Sequence, residues 1–159
     1  MIMKFLIFLI FFLNYFCFDI ENKSVIYNKN IPKGIDCSTC MDSTALLKTK
    51  IIKEDVIKVS FVYHFLLCFS SSCKNNVELS EYSNEVLLLL LKEYPELSLK
   101  TFSKYRKKIQ WDYICTEIAK PVNDSINPNE ILKKIETIYG YDDVKKDVIN
   151  ALKIACSRL

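Results

Sequence analysis

The chain has 159 residues, half of them hydrophobic, and this length is enough for one domain with a buried core. With 22 basic against 19 acidic residues, the net charge of +3 is too nearly balanced to favour nucleic acid as a partner. Only two glycines are present, which excludes the glycine-rich loops that bind phosphates or dinucleotides.

The first residues predict a secretory signal peptide. Lys4 precedes an unbroken apolar run over residues 5–13, which is shorter than the ~20 residues that a bilayer crossing needs. We place the cleavage after Cys17 or Phe18, although no clear small-residue cleavage pattern is present. The alternative is an uncleaved membrane anchor that extends through Phe18.

These signals divide the chain into three predicted parts. Residues 1–18 are the signal peptide, residues 19–36 an extended polar segment, and residues 37–159 a helical, disulfide-rich domain. The product is therefore predicted to be secreted. Passage through the secretory pathway would expose two glycosylation sequons, at Asn22 and Asn123.

Cysteine usage agrees with export. Loss of Cys17 leaves an even number of cysteines, and an even number in a secreted chain is typical of disulfides, here three. Six cysteines allow fifteen connectivities, so spacing alone does not determine the pairs. The six are Cys37, Cys40, Cys68, Cys73, Cys115 and Cys156.

Cys37 and Cys40 have the C-x-x-C spacing that redox dithiols and zinc sites also use. A thioredoxin-type site needs the motif at a helix start after a strand, and no βαβ pattern surrounds this one. Export favours disulfides over zinc thiolates. We therefore expect structural disulfides, with no metal and no other cofactor.

Hydrophobic periodicity predicts an all-α, disulfide-stapled bundle of five to six helices. Asp36 is placed to cap the first helix, and Glu54 with Asp55 puts negative charge at the start of the second. Residues 60–69 are apolar almost all round, which indicates a central buried helix, with a buried strand as the alternative. His64 lies within this segment, so we expect a buried or half-buried structural histidine instead of a general base. No nucleophile motif accompanies it, and we expect no enzyme activity.

Two longer helices are predicted next. One begins near Val77 and ends before Pro95, and Ser98 is placed to cap the other, which covers roughly residues 99–120. The outer side of that second helix is basic, which suits contact with anionic lipid or with heparin-like glycans. The alternative is a solvated helix face. The basic residues are Lys100, Lys104, Arg106, Lys107 and Lys108.

The last third carries the clearest helix boundaries. Asn127 and Glu130 form a predicted capping box, and Gly140 marks the end of that helix. Asp142 is expected to cap the final helix, on which Cys156 faces the core.

The stretch from residue 37 to residue 73 resembles the first half of a saposin B-type domain. The resemblance lies in the C-x-x-C opening, the acidic start of the second helix and the third cysteine at position 68. It implies an all-helical secreted fold whose members bind or perturb lipids, with cysteines paired first to sixth, second to fifth and third to fourth. In this chain those pairs would be Cys37–Cys156, Cys40–Cys115 and Cys68–Cys73.

The sequence therefore predicts a secreted all-α protein that binds lipid, another apolar ligand or a membrane surface. The alternative is a secreted protein-interaction module, or effector, with no small-molecule ligand. Its partner would then be an extracellular protein.

Overall fold

The computed structural model describes residues 36–70, 73 and 75–158. This part of the chain forms seven α-helices and no β-strand, which confirms the all-α class with more helices than expected. The predicted signal peptide, the polar segment up to residue 35 and the sequon at Asn22 lie outside the described residues. The helices are α1 (Cys37–Ile52), α2 (Val59–Leu66), α3 (Val77–Glu93), α4 (Pro95–Tyr105), α5 (Trp111–Ile118), α6 (Pro128–Thr137) and α7 (Asp142–Cys156).

Helices α1 and α2 form a hairpin whose open end is closed by two disulfides. Asp36 caps α1 as predicted, because its carboxylate accepts from the backbone N–H of Ser38 at 3.0 Å. This hydrogen bond, with a second from the Ser38 hydroxyl, lowers the pKa of Asp36. The Cα atoms of the paired cysteines are 5.5 and 5.6 Å apart. The disulfides are Cys37–Cys73 and Cys40–Cys68.

The pairing that the saposin resemblance implied is wrong. The start of α1 lies beside the end of α2, so its cysteines meet those that follow α2. Cys115 on α5 and Cys156 on α7 are free thiols. The resemblance itself stays a prediction. Disulfides form and persist in oxidising compartments, which fits a protein that matures outside the reducing cytosol.

The central element is α3, which packs against α1, α4, α5 and α6. Its leucine-rich half is buried on nearly every side, as expected of a helix surrounded by others. Residues 60–69 include most of α2, whose Val62, Phe65 and Leu66 are buried as expected, although α2 packs mainly against α1 and α4 and is not the central helix. His64 is exposed, contrary to the sequence prediction. None of the described helices combines the length and apolar character that a bilayer crossing requires.

The single long helix predicted over residues 99–120 is also wrong. Helix α4 is followed by a 3₁₀ turn (Arg106–Lys108) and by Ile109 in an extended conformation, and α5 then begins at Trp111. This break brings both Ile109 and Trp111 into the core. Ser98 does not cap a helix but lies buried inside α4, where its hydroxyl donates to the carbonyl of Tyr94 at 2.8 Å.

Several predicted helix ends shift when the chain packs. Glu54 and Asp55 do not stand at the start of the second helix as predicted, because α2 begins only after Lys58. Glu54 lies in the preceding turn with a positive φ of 54°. Asn127 caps α6 as predicted, but Glu130 pairs with Lys92 at 3.1 Å instead of reaching back to the cap. The turn into α7 passes through two left-handed residues, so Tyr141 and not Asp142 is its N-cap. The two are Gly140 (φ 85°) and Tyr141 (φ 59°).

Candidate functional site

An open cleft of about 700 Å³ lies where α1, α3 and the loop between α5 and α6 meet. Four carboxylates line it, together with three side chains that offer apolar or aromatic contact. We call it the acidic cleft. It is lined by Met41, Glu78, Glu81, Tyr82, Glu85, Val122, Asn123, Asp124 and Ser125.

Helix α3 supplies one complete face of the acidic cleft. Asn76 fixes the start of this helix, since its side chain accepts from the N–H of Leu79 at 3.1 Å. The lining residues of α3 recur three or four positions apart and therefore share one side of the helix. These are Glu78, Glu81, Tyr82 and Glu85, and the core residues of α3 lie on its other sides.

Small buried hydroxyl side chains let α1 approach α3 closely. The Thr44 Oγ1 donates to the carbonyl of Cys40 at 2.8 Å and lies 3.5 Å from the Ser83 Oγ. Both hydroxyls are buried. This contact sets the distance between the helices that form two sides of the cleft.

Asn84 holds the third side of the cleft in place. Its side chain is 0% exposed, and its Nδ2 donates to the carbonyls of Glu117 (2.8 Å) and Lys120 (3.2 Å). Its Oδ1 accepts from the backbone N–H of Val122 at 3.2 Å. One amide on α3 thus satisfies backbone groups at the end of α5 and in the loop, which places Val122 beside α3.

The predicted sequon at Asn123 lies in this same loop. The Asn123 side chain accepts from the backbone N–H of Ser125 at 2.9 Å and from its hydroxyl at 2.6 Å. Such local bonds to a side-chain amide are typical of a turn. Glycosylation at Asn123 stays a prediction, and a glycan there would stand in the cleft wall.

A lysine of the chain itself is bound at one end of the acidic cleft. The Lys48 Nζ lies 2.8 Å from the Glu85 carboxylate and 5.0 Å from the centre of the Tyr82 ring. A carboxylate and an aromatic face together bind an ammonium group. Within the described part of the chain, no ion pair involves Glu78, Glu81 or Asp124, and all three are exposed.

A second cleft, of about 590 Å³, lies where the turn between α1 and α2 meets the end of α3. The Tyr94 hydroxyl donates to the carbonyl of Asp55 at 3.3 Å and thereby joins the turn between α1 and α2 to the end of α3. Carboxylates again share the lining with apolar groups. The lining residues are Ile51, Ile52, Glu54, Leu89, Glu93 and Tyr94.

The structure does not bring all five predicted basic residues to one surface. The Arg106 guanidinium turns toward α7, where its Nη2 lies 2.7 Å from the Asp147 carboxylate and its carbon lies 5.6 Å from the Trp111 ring centre. The Trp111 indole N–H donates to the same carboxylate at 2.9 Å. The remaining four side chains are exposed on α4 and the 3₁₀ turn. They are Lys100, Lys104, Lys107 and Lys108.

The two free thiols are half-buried and belong to no metal-binding group. Burial, and then the nearby carboxylate of Asp147, raises the pKa of the Cys115 thiol to about 12, with Asp112 adding to the shift and Arg106 opposing it. A thiol with this pKa is a poor nucleophile near neutral pH. Among the residues that the structure describes, no group of three or more histidine, cysteine, aspartate or glutamate side chains could hold a metal ion.

Comparisons with known proteins add no relative. The chain matches no protein-family model, no curated protein and no solved structure. The acidic cleft was not predicted from sequence, although two signals were present. The first was the stripe of Glu78, Glu81 and Glu85, and the second was Asn84, an amide two positions before the apolar run that begins at Val86.

Proposed function

We propose that this protein is a secreted interaction module that binds another protein through the acidic cleft. The observation that carries the proposal is one open cleft in which exposed carboxylates stand beside apolar and aromatic side chains. Protein interfaces combine apolar and aromatic contacts with a polar, solvent-accessible rim. Two disulfides in a small helical domain support the secreted location.

The packing of the core favours a protein partner over a lipid held inside the fold. The apolar side chains of α3, α4 and α7 that face one another are fully buried and in mutual contact. Sites that enclose an apolar ligand are concave and lined mostly by apolar groups. Both clefts described above carry carboxylates, and an acyl chain placed against them would desolvate charge at a cost.

A second candidate function is binding to an anionic membrane surface. Its support is the set of four exposed lysines on α4 and the 3₁₀ turn, each of which contributes ~1 kcal/mol near anionic lipid. Screening by salt would weaken such binding strongly. Arg106 contributes less, because Asp147 already neutralises it.

Native mass spectrometry of the full chain, purified from the medium of the cells that secrete it, separates these functions. A protein partner in the complex supports the interaction module, and a bound species of lipid mass contradicts it. Co-sedimentation with phosphatidylserine vesicles tests the second candidate. We expect binding there to weaken in Lys100→Gln/Lys104→Gln but not in the matched variant Lys133→Gln/Lys146→Gln, whose lysines are also exposed.

A further inference from the structure

We propose that the acidic cleft binds a lysine- or arginine-bearing segment of the partner protein. This inference rests on the proposed function and adds the chemistry of the partner. Each cationic group of the segment would bind to a carboxylate of the cleft, and its aliphatic stem would lie along the apolar lining.

The chain already shows this mode of binding in Lys48. Its ammonium contacts the Glu85 carboxylate and faces the Tyr82 ring, both of which line the cleft. Glu81 lies four positions before Glu85, and Glu78 four positions before Tyr82, so both carboxylates lie one turn further along the same face of α3. A cationic group of the partner would bind to Glu78 or Glu81 as Lys48 binds to Glu85.

The other lining residues suit the stem of a long basic side chain. Lysine and arginine bury their methylene groups against apolar surface while the charged end stays hydrated. Met41 on α1 is half-buried, and Val122 on the loop is 51% exposed. A cleft of about 700 Å³ accepts several side chains and not only one ion.

The loop gives the cleft a fixed shape before the partner arrives. Asn84 binds the loop backbone at Val122, and Asn123 binds Ser125 within it. Asp124 lies between Asn123 and Ser125 in this loop and lines the same cleft as the carboxylates of α3. A preformed site loses less conformational entropy on binding.

Titration of the isotope-labelled full chain with two synthetic peptides tests the proposal. One is the acetylated and amidated sequence KLGSKLGSKLGS, and the other carries glutamate at each lysine position. We expect the lysine peptide to shift the NMR signals of Met41, Tyr82 and Val122, and salt to weaken its binding. The glutamate peptide should leave these signals unchanged.

Matched variants distinguish binding at the acidic cleft from a general effect of the protein's negative charge. The variant Glu78→Gln/Glu81→Gln should weaken binding of the lysine peptide about tenfold, the sum expected for two partly exposed ion pairs. The control Glu96→Gln/Glu136→Gln removes the same charge from exposed positions on α4 and α6 and should change the affinity less than twofold. Equal weakening in both variants, or no shift at the cleft, would overturn the proposal.

Other occupants give distinct results. If the chain self-associates in sedimentation experiments and Glu78→Gln/Glu81→Gln abolishes that association, the occupant is a second copy and the proposal is wrong. If a natural partner contacts Val122 but the lysine peptide does not bind, the proposed function stands and the basic-segment chemistry fails. If neither binds at the cleft, both fail.

Discussion

The buried carboxamide of Asn84 accepts a hydrogen bond from the backbone N–H of Val122 at 3.2 Å, which joins the central helix to the rim of the acidic cleft. Its amide nitrogen donates to carbonyls at the end of α5. The cleft therefore depends on one side chain that is not part of its lining. Loss of that side chain should affect both the stability of the fold and the order of the loop.

We predict that Asn84→Ala lowers the free energy of unfolding by about 2–4 kcal/mol, because it leaves several buried backbone groups without partners. Urea denaturation measures the change. Hydrogen exchange at the Val122 amide should become faster even where the fold is retained. The control Asn150→Ala removes an exposed amide from α7 and should change stability by less than ~0.5 kcal/mol. Equal stability of the two variants would contradict the role of Asn84.

The disulfide pairing predicts a difference between matched and crossed cysteine variants. Cys37→Ser/Cys73→Ser removes one bond and should add no free thiol to those of the unaltered chain. Cys37→Ser/Cys68→Ser breaks both bonds and should leave Cys40 and Cys73 as two additional thiols or as a non-native pair. Thiol titration in denaturant counts them. Additional thiols in the matched variant would show that the pairing is wrong.

The same bonds should account for a large part of the stability. The Cys37–Cys73 bond spans a sequence separation of 36, for which chain entropy gives about 4 kcal/mol. The enclosed Cys40–Cys68 bond adds less, because the first bond already restricts the loop. We expect full reduction to lower the midpoint of thermal unfolding sharply, which circular dichroism measures. An unchanged midpoint would contradict a structural role for the disulfides.

The thiol of Cys115 should resist alkylation. Because burial raises its pKa to about 12, iodoacetamide at pH 9 should modify it at least a hundredfold more slowly in the native chain than in urea. As pH rises above about 9, the unfolded chain loses this proton first, so the free energy of unfolding should fall between about pH 9 and pH 12. Cys115→Ala should reduce that fall, and an equal fall in both chains would contradict the assignment.

Arg106 should differ from the other basic residues of its segment. Its guanidinium binds Asp147 and covers the Trp111 ring, so Arg106→Ala should cost about 1–2 kcal/mol of stability in urea denaturation. Arg106→Lys should recover only part of this, because an ammonium lacks the planar fork. Lys104→Ala should cost little, since Lys104 is exposed. Equal losses for Arg106→Ala and Lys104→Ala would contradict the inward orientation of Arg106.

Two of the helix caps could be predicted from the sequence, because each depends on neighbouring residues alone. The carboxylate of Asp36 and the amide of Asn127 each bind an N–H two positions later, whatever the rest of the chain does. The break after Tyr105 could not be predicted in this way. Residues 99–120 fit a helical pattern, and only the packing of Ile109 and Trp111 against other helices makes the break favourable.

The disulfides and the cleft depend on contacts between distant parts of the chain. Spacing left fifteen ways to join six thiols in three bonds. The path of α2 back along α1 instead joins four of the thiols in two bonds and leaves Cys115 and Cys156 free. The stripe of Glu78, Glu81 and Glu85 fits a solvated helix face equally well. Only the loop that Asn84 binds turns this stripe into one wall of a cleft.

The most direct test of the acidic cleft as the partner-binding surface is site-specific photocrosslinking in the full chain. The photoreactive residue p-benzoylphenylalanine would replace either Val122 in the cleft or Ile154 on α7, whose side chains are 51% and 48% exposed. We predict that the cleft position captures one protein partner, that excess unmodified chain competes with this capture, and that the α7 position captures none. Equal capture from both positions, or capture from the α7 position alone, would contradict the account.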